Sequence, residues 1–233
     1  MGSAWGGAGA AAAEPSELGV GGSRKAISAV QLMRRDPKLL LMAPTQMAFG
    51  FAAAEQNGWV NGVAVKEGIG GQNIGYLIAL STAVAALASA LFSCYTKGRD
   101  KRGPMLLGAA AYTLFGLALM VLPLADLGRW NCLIAVYSIQ GIGRGSFEST
   151  NKAVLADYFP GAQAEAAFAS FVIFSGLSMA VGYAALPHLP RELSASLCLL
   201  SAAVGGVCYL VAERLDGRER GGAALLRRDG AVS

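Results

Sequence analysis

The sequence predicts an all-α membrane protein in which six transmembrane helices form one bundle. Three observations carry this prediction: the composition, the bunching of apolar residues into six segments, and the placement of the positive charges. Of the 233 residues, 54% are hydrophobic and only 15% are charged, and the mean hydropathy is positive. Soluble domains carry about 25% charged residues. The composition therefore excludes an ordinary soluble domain.

The apolar residues gather into six segments, each close to the roughly 20 residues that cross about 30 Å of hydrocarbon. The segments are Leu39–Val60, Ile74–Tyr95, Met105–Ala125, Asn131–Thr150, Ala166–Pro187 and Ser194–Ala212. This division predicts a six-helix transmembrane domain over residues 38–215. A disordered cytosolic tail over residues 1–37 is expected before it, and a flexible cytosolic tail over residues 216–233 after it.

The positive charges predict the orientation of the bundle. Lysine and arginine are concentrated before the first segment and after the second and sixth, whereas each expected outer loop carries one: Lys66, Arg129 and Arg191. Because positive residues stay preferentially in short cytosolic segments, both termini are expected in the cytosol. The net charge of +4 then follows from topology, so the expected partner is the lipid bilayer and no nucleic acid. The membrane could be the plasma membrane or an internal one.

Little in the sequence supports an enzyme. The only histidine, His188, falls in an expected outer loop, so a general base within the bundle is missing. The four cysteines lie in or at the ends of apolar segments and lack the spacing of a metal site. We therefore expect no catalytic residue, no metal and no cofactor. These cysteines are Cys94, Cys132, Cys198 and Cys208.

The fourth segment carries two charges, Arg144 and Glu148, which are one helical turn apart. A charge near the middle of a membrane costs at least about 2.5–3.5 kcal/mol, so such a pair is a functional hypothesis by default. Two interpretations stay open. The pair is either a structural ion pair at the inner interface, or a gating or substrate-contacting pair in an inner vestibule.

Amides supply the remaining binding or gating candidates. In the first segment, polar residues recur after eleven positions, which is about three helical turns, so one side of this helix is expected to face protein or a water-filled cavity. Glu55 is expected at the outer interface. The complete candidate set is Arg144, Glu148, Gln140, Asn151, Gln46 and Asn57.

Small residues predict where helices approach each other closely. Gly141 and Gly145 form a small-xxx-small step in the fourth segment. The fifth segment has a similar small face, formed by Ser175, Gly176, Ser178 and Gly182, and is predicted to be the mate of the fourth. Pro160 and Gly161 are predicted to end the fourth helix.

Several stretches resemble one known family. They are GFAAAEQNGWVNG in the first segment, GQNIGYL before the second, QGIGRGSFES in the fourth and EAAFASFVIFSGLSMAVGY in the fifth. In this order they resemble the C-terminal six helices of Unc-ninety-three-like proteins of the major facilitator superfamily. The loop over residues 97–103 loosely resembles the superfamily's Asp-basic-x-Gly signature. One departure is Tyr137, which stands where the fourth-helix signature has an arginine, three residues before Gln140.

The resemblance implies a six-helix bundle like one half of a major facilitator fold, whose partner would be a second six-helix half or another membrane protein. It implies a regulatory or escort subunit for ion channels or other membrane proteins. The alternative is half of a transporter that moves a small solute or ion. Because Glu148 is the only acid well inside a segment, the sequence favours the regulatory role.

Overall fold

The structure is a computed structural model that describes Ile27 and residues 29–229, and in this part of the chain it is helical with no strand. Short loops, 3₁₀ segments and the short helix Leu124–Leu127 connect the helices. The principal helices are α1 (Pro37–Glu55), α2 (Ile74–Tyr95), α3 (Arg102–Val121), α4 (Trp130–Ser146), α5 (Lys152–Tyr158), α6 (Ala164–Ala185) and α7 (Arg191–Asp229).

Two of these helices continue as π-helix without a break. After α1 the π-helix spans Gln56–Val65, and after α4 it spans Phe147–Asn151 and leads directly into α5. The described chain therefore forms six long helical rods. π-Helical turns are rare and are often found at functional sites.

Local sequence explains where the rods begin. The Asp36 side chain accepts a hydrogen bond from the Lys38 backbone N–H at 2.9 Å, and Pro37 follows at the first helical position, so α1 starts with a strong cap. Asp100 accepts from the Arg102 backbone N–H at 3.0 Å before α3. Pro160 and Gly161, with φ of +67° at the glycine, separate α5 from α6 as predicted.

Four helical segments are long and apolar enough to cross a membrane: Gly71–Tyr95, Arg102–Val121, Gly161–Ala185 and Arg191–Gly221. The other two rods begin with α1 and α4. They carry buried polar side chains, among them Gln46, Glu55, Gln140 and Asn151, which lower their hydropathy. All six candidate binding residues lie on these two rods and their π-helical continuations.

The described chain is helical within both of the expected tails. Residues 29–35 are helical, and α7 continues to Asp229 although a flexible tail was expected from Asp216. Ion pairs hold this extension, because the buried Lys38 ammonium lies 3.2 Å from Asp216 and 2.7 Å from Glu219. The rest of the expected tails, residues 1–26, 28 and 230–233, lies outside the described residues.

The helices pack in a pattern that repeats. α1 packs on α6 and α7, α4 packs on α2 and α3, and α3 packs on α7. If α1 is exchanged with α4, α2 with α6, and α3 with α7, the same set of helix pairs is obtained. Each triplet also begins with the rod that turns π-helical.

Two glycines, Gly50 of α1 and Gly145 of α4, occupy equivalent helix crossings in the repeat. A Cβ atom at Gly50 would lie 2.4 Å from the Ser175 carbonyl oxygen and would also meet Ser178 and Met179 on α6. A Cβ atom at Gly145 would lie 2.8 Å from the Ala85 carbonyl oxygen and would also meet Ala88 and Ser89 on α2. The three residues on α2 precede their counterparts on α6 by 90 positions each. Both crossings require glycine because backbone meets backbone.

One predicted packing partner is wrong. The sequence predicted that the small face of the fifth segment packs on the fourth, but Ser175, Ser178 and Gly182 of α6 face Gly50 and Ala54 of α1. The glycines of the fourth segment do allow a close approach, but their neighbour is α2. Both faces are small, and composition alone does not say which small face meets which.

Candidate functional site

One side of the bundle is open. The packing of α3 on α7 closes the opposite side, whereas α1 and α4 lie side by side at the centre of the open side, flanked by α6 and α2. We call this surface the open face. Beneath this face lies a largely buried stack of three rings. The ring centroids of Phe49 of α1 and Phe147 are 4.0 Å apart, and those of Phe147 and Phe171 of α6 are 4.5 Å apart.

The Arg144–Glu148 ion pair lies on the open face. Helix α4 turns Gly145 toward α2, Gly143 toward Tyr112 of α3, and its continuation turns Phe147 toward α1. Around the axis of α4, position 144 lies between the side that faces α2 and the side that faces α1, and no described helix covers it there. The Arg144 Nε donates to Glu148 Oε1 at 2.8 Å, and the two side chains are 36% and 39% exposed.

A chain of hydrogen-bonded polar side chains connects three of the helical segments that border the open face. The Tyr137 hydroxyl donates to Asn61 Oδ1, Asn61 Nδ2 donates to Asn57 Oδ1 at 3.4 Å, and Asn57 Nδ2 donates to the Tyr183 hydroxyl at 3.0 Å. The chain joins α4, the π-helix after α1, and α6. Of its members, the sequence had singled out Asn57 as a binding candidate.

Gln140 has a structural partner. It is 4% exposed, and its Oε1 accepts from the Ser81 hydroxyl of α2 at 2.7 Å. This buried hydrogen bond ties α4 to α2 one turn before the Gly145 crossing. The Ser81 hydroxyl thus satisfies the buried amide oxygen of Gln140 and helps α4 to pack closely on α2.

Asn151 and Gln46 are fully buried, and neither side-chain amide has a hydrogen-bond partner among the described residues. Asn151 borders a small cavity between α1, α3, α4 and α7, which Thr45 and Tyr112 also line. The space open to the centre of a water molecule there is about 20 Å³, which suits one water. The Tyr112 hydroxyl also has no hydrogen-bond partner among the residues that the structure describes, so this cavity offers polar groups to one small molecule such as water.

Glu55 is fully buried within the bundle rather than displayed at an interface. Its Oε1 accepts from the Ser194 hydroxyl of α7 at 3.0 Å, and its Oε2 has no partner among the described residues. Nearby, the Arg191 guanidinium stacks 4.8 Å from the centroid of the Trp59 ring and donates to the Leu122 carbonyl. Glu55 therefore accepts one hydroxyl hydrogen bond, and the positive charge of Arg191 lies close enough to act on it.

The structure thus separates the six predicted residues into three groups. Arg144, Glu148 and Asn57 reach the open face, and Gln140 bonds to α2. Gln46 and Asn151 are buried and have no hydrogen-bond partner for their side-chain amides in the described part of the chain. Sequence reasoning missed their contacts on other helices, such as Tyr183 and Ser81. A single tyrosine or serine in an apolar run carries no pattern that reveals a partner far along the chain.

In the described part of the chain, no three His, Cys, Asp or Glu side chains are grouped so that they could hold a metal ion. Comparison with known proteins adds no further assignment. No protein-family model, no curated protein and no solved structure matches this chain.

Proposed function

We propose that this chain is a multi-pass membrane protein that acts as a regulatory or escort subunit, docking on an ion channel or another membrane protein through its open face. The observation that carries the proposal is the Arg144–Glu148 pair, with both side chains more than one-third exposed on a rod within the bundle. Charged groups at such positions do not face lipid without a large cost. A second protein, or water enclosed by one, has to cover this face.

The proposed topology has six membrane crossings with both termini in the cytosol. Four crossings follow from helices of sufficient length and hydropathy. The rods that begin with α1 and α4 are the remaining two, and their polar side chains are consistent with crossings that sit against protein instead of lipid.

The cavity between the four helices behind the open face is too small to hold a transported solute. The cavity between α1, α3, α4 and α7 has space for about one water molecule, whereas small-molecule sites have about 300–1,000 Å³. The ion pair does not border that cavity. Its exposed position favours contact with a partner.

The second candidate is half of a transporter of a small solute or ion, completed by another six-helix chain. The repeat of packing between the two triplets favours it. Six crossings would place the triplets in opposite orientations, and such inverted repeats are common in secondary transporters, with the substrate site between two halves. The resemblance to the major facilitator superfamily points the same way.

A crosslinking experiment tests the docking proposal. A photoreactive residue at Ser149, which is half-buried beside the ion pair, is expected to capture a multi-pass membrane protein in native membranes, whereas one at the exposed Leu87 of α2 captures none. Exchanging the charges, R144E with E148R, keeps the pair but reverses the pattern presented to a partner. We expect this exchange to abolish capture.

The matched control exchanges an exposed pair in the outer loop, D126R with R129E, whose side chains lie 3.4 Å apart. It should leave capture unchanged. Capture that survives R144E with E148R contradicts docking through the open face. Solute flux in vesicles that contain only this chain, lost in R144Q with E148Q at normal abundance, would instead favour transport.

A further inference from the structure

A second surface feature lies away from the open face, where α2 ends and α3 begins. Here the two helices leave an apolar groove of about 420 Å³. Its lining includes no charged side chain, and it consists of Leu91, Phe92, Tyr95, Gly103, Pro104 and Leu107. Leu91, Tyr95 and Leu107 are each at least half exposed. The groove is therefore an apolar slot on the outside of the bundle.

Positive charge borders one end of this groove. The Arg99 guanidinium lies 5.5 Å from the centroid of the Tyr95 ring, and Tyr95 lines the groove. The exposed Lys97 precedes it in the same loop. Within the described residues, neither Arg99 nor Lys97 forms an ion pair with a carboxylate.

The other charges of the loop are already engaged. Lys101 pairs with Asp157 at 2.5 Å, and Arg102 pairs with Glu213 at 3.7 Å. Asp100 accepts the hydrogen bond from the Arg102 backbone N–H at the start of α3. The groove is thus bordered by two cations, Arg99 and Lys97, whose charge the described residues leave unpaired.

We infer that this groove binds an anionic phospholipid of the cytosolic leaflet, with an acyl chain between α2 and α3 and its phosphate at Arg99. A planar guanidinium can bind two phosphate oxygens at once. Basic residues beside cytosolic helix ends attract the anionic lipids of that leaflet. The inference rests on the proposed orientation of the chain in the membrane and is independent of docking or transport.

Gly103 leaves room for the acyl chain. A Cβ atom there would have only the Tyr95 ring within 4 Å, at 3.9 Å. A larger side chain at this position has space to form, and it would occupy the groove without disturbing the packing of α2 on α4. This position therefore allows the groove to be filled while the fold is kept.

Lipid binding can be measured on the full chain purified in detergent, by native mass spectrometry during titration with phosphatidylserine or phosphatidylcholine of equal acyl composition. The wild type is expected to retain phosphatidylserine preferentially. Arg99→Gln should weaken retention about fivefold, since one basic residue near the surface contributes about that much. Gly103→Leu should weaken retention of phosphatidylserine at an unchanged net charge.

Two matched controls separate this site from general attraction. Arg218→Gln removes an exposed positive charge of α7 from the same side of the protein, and Gly75→Leu enlarges an exposed glycine with open space around it at the other end of α2. Both should retain phosphatidylserine as the wild type does. Equal retention of the two lipids by the wild type, or equal losses in Arg99→Gln and Arg218→Gln, would overturn the inference. Equal retention of the two lipids by the wild type would overturn the inference even where a variant folds poorly.

Discussion

At the scale of single residues, Glu55 depends on one donor. Its Oε1 accepts from the Ser194 hydroxyl, and its Oε2 has no partner among the described residues. Replacing Ser194 by alanine would leave a buried carboxyl group without this hydrogen bond. A buried polar group that loses its partner costs about 1–3 kcal/mol.

We therefore expect Ser194→Ala to lower the free energy of unfolding by about 1–3 kcal/mol in detergent, measured by chemical unfolding. Ser196→Ala is the matched control on the same helix, because the Ser196 hydroxyl donates an exposed hydrogen bond to the Glu192 carbonyl of its own turn. The control should change stability by less than about 0.5 kcal/mol. Equal losses in both variants would show that the Glu55 contact contributes nothing.

The residues of the candidate site were predictable to different degrees. Arg144 and Glu148 stand out in the sequence because charges are rare in apolar segments, and their i to i+4 spacing predicts the ion pair that the structure contains. The hydrogen bond between Tyr137 and Asn61 was not predictable in this way. It joins residues on different helices, and it depends on how the first and fourth rods meet.

At the scale of elements, the glycine crossings of α1 on α6 and of α4 on α2 are equivalent in the repeat. We expect Gly50→Leu and Gly145→Leu each to lower the free energy of unfolding by about 1–3 kcal/mol, because the new side chain would meet backbone atoms of the neighbouring helix. Thermal unfolding and size-exclusion profiles in detergent measure this effect.

Gly176→Leu on α6 provides the control for these substitutions. Gly176 is exposed, and a Cβ atom there would have nothing within 4 Å. This variant should unfold at or above the wild-type temperature, since leucine favours helix more than glycine does. A Gly145→Leu protein as stable as Gly176→Leu would contradict the close crossing.

Helix boundaries agree with the predicted segments where an apolar run is bordered by glycine or polar residues. The second segment was predicted over Ile74–Tyr95 and is helical over these same residues, because glycine turns precede it and a polar loop follows it. The sixth segment was predicted to end at Ala212, but α7 continues. Hydropathy indicates where an apolar stretch ends, whereas a helix continues as long as its polar residues find partners.

At the scale of the whole molecule, Lys38 joins the start of the bundle to its end. Burial lowers the pKa of the Lys38 ammonium, but hydrogen bonds to Glu219 and Asp216 more than offset this, so the pKa lies above the ordinary lysine value. The folded state therefore binds this proton more tightly than the unfolded chain does. The resulting stabilisation is complete below a pH of about 10 and is lost as the pH rises further.

We expect the wild type to unfold at a higher temperature than Lys38→Met at pH 8, and the difference to shrink by pH 11.5. Differential scanning fluorimetry in detergent at both pH values measures this change. Lys66→Met, which removes an exposed lysine between the first π-helix and α2, should differ little from the wild type at either pH. A Lys38→Met difference that stays constant across this range would contradict the role of the ammonium.

The π-helical segments have a mechanical consequence for the two central rods. A π-helical turn holds more residues than an α-helical turn, so conversion of one turn to α-helix would rotate all later residues by about 100° about the rod axis. Both segments follow the glycine crossings in their rods. A change between π-helix and α-helix would therefore rotate the later part of each rod relative to its glycine crossing. Because Val60 and Leu155 in these later parts are buried in the core, such a rotation would have to repack the core around them.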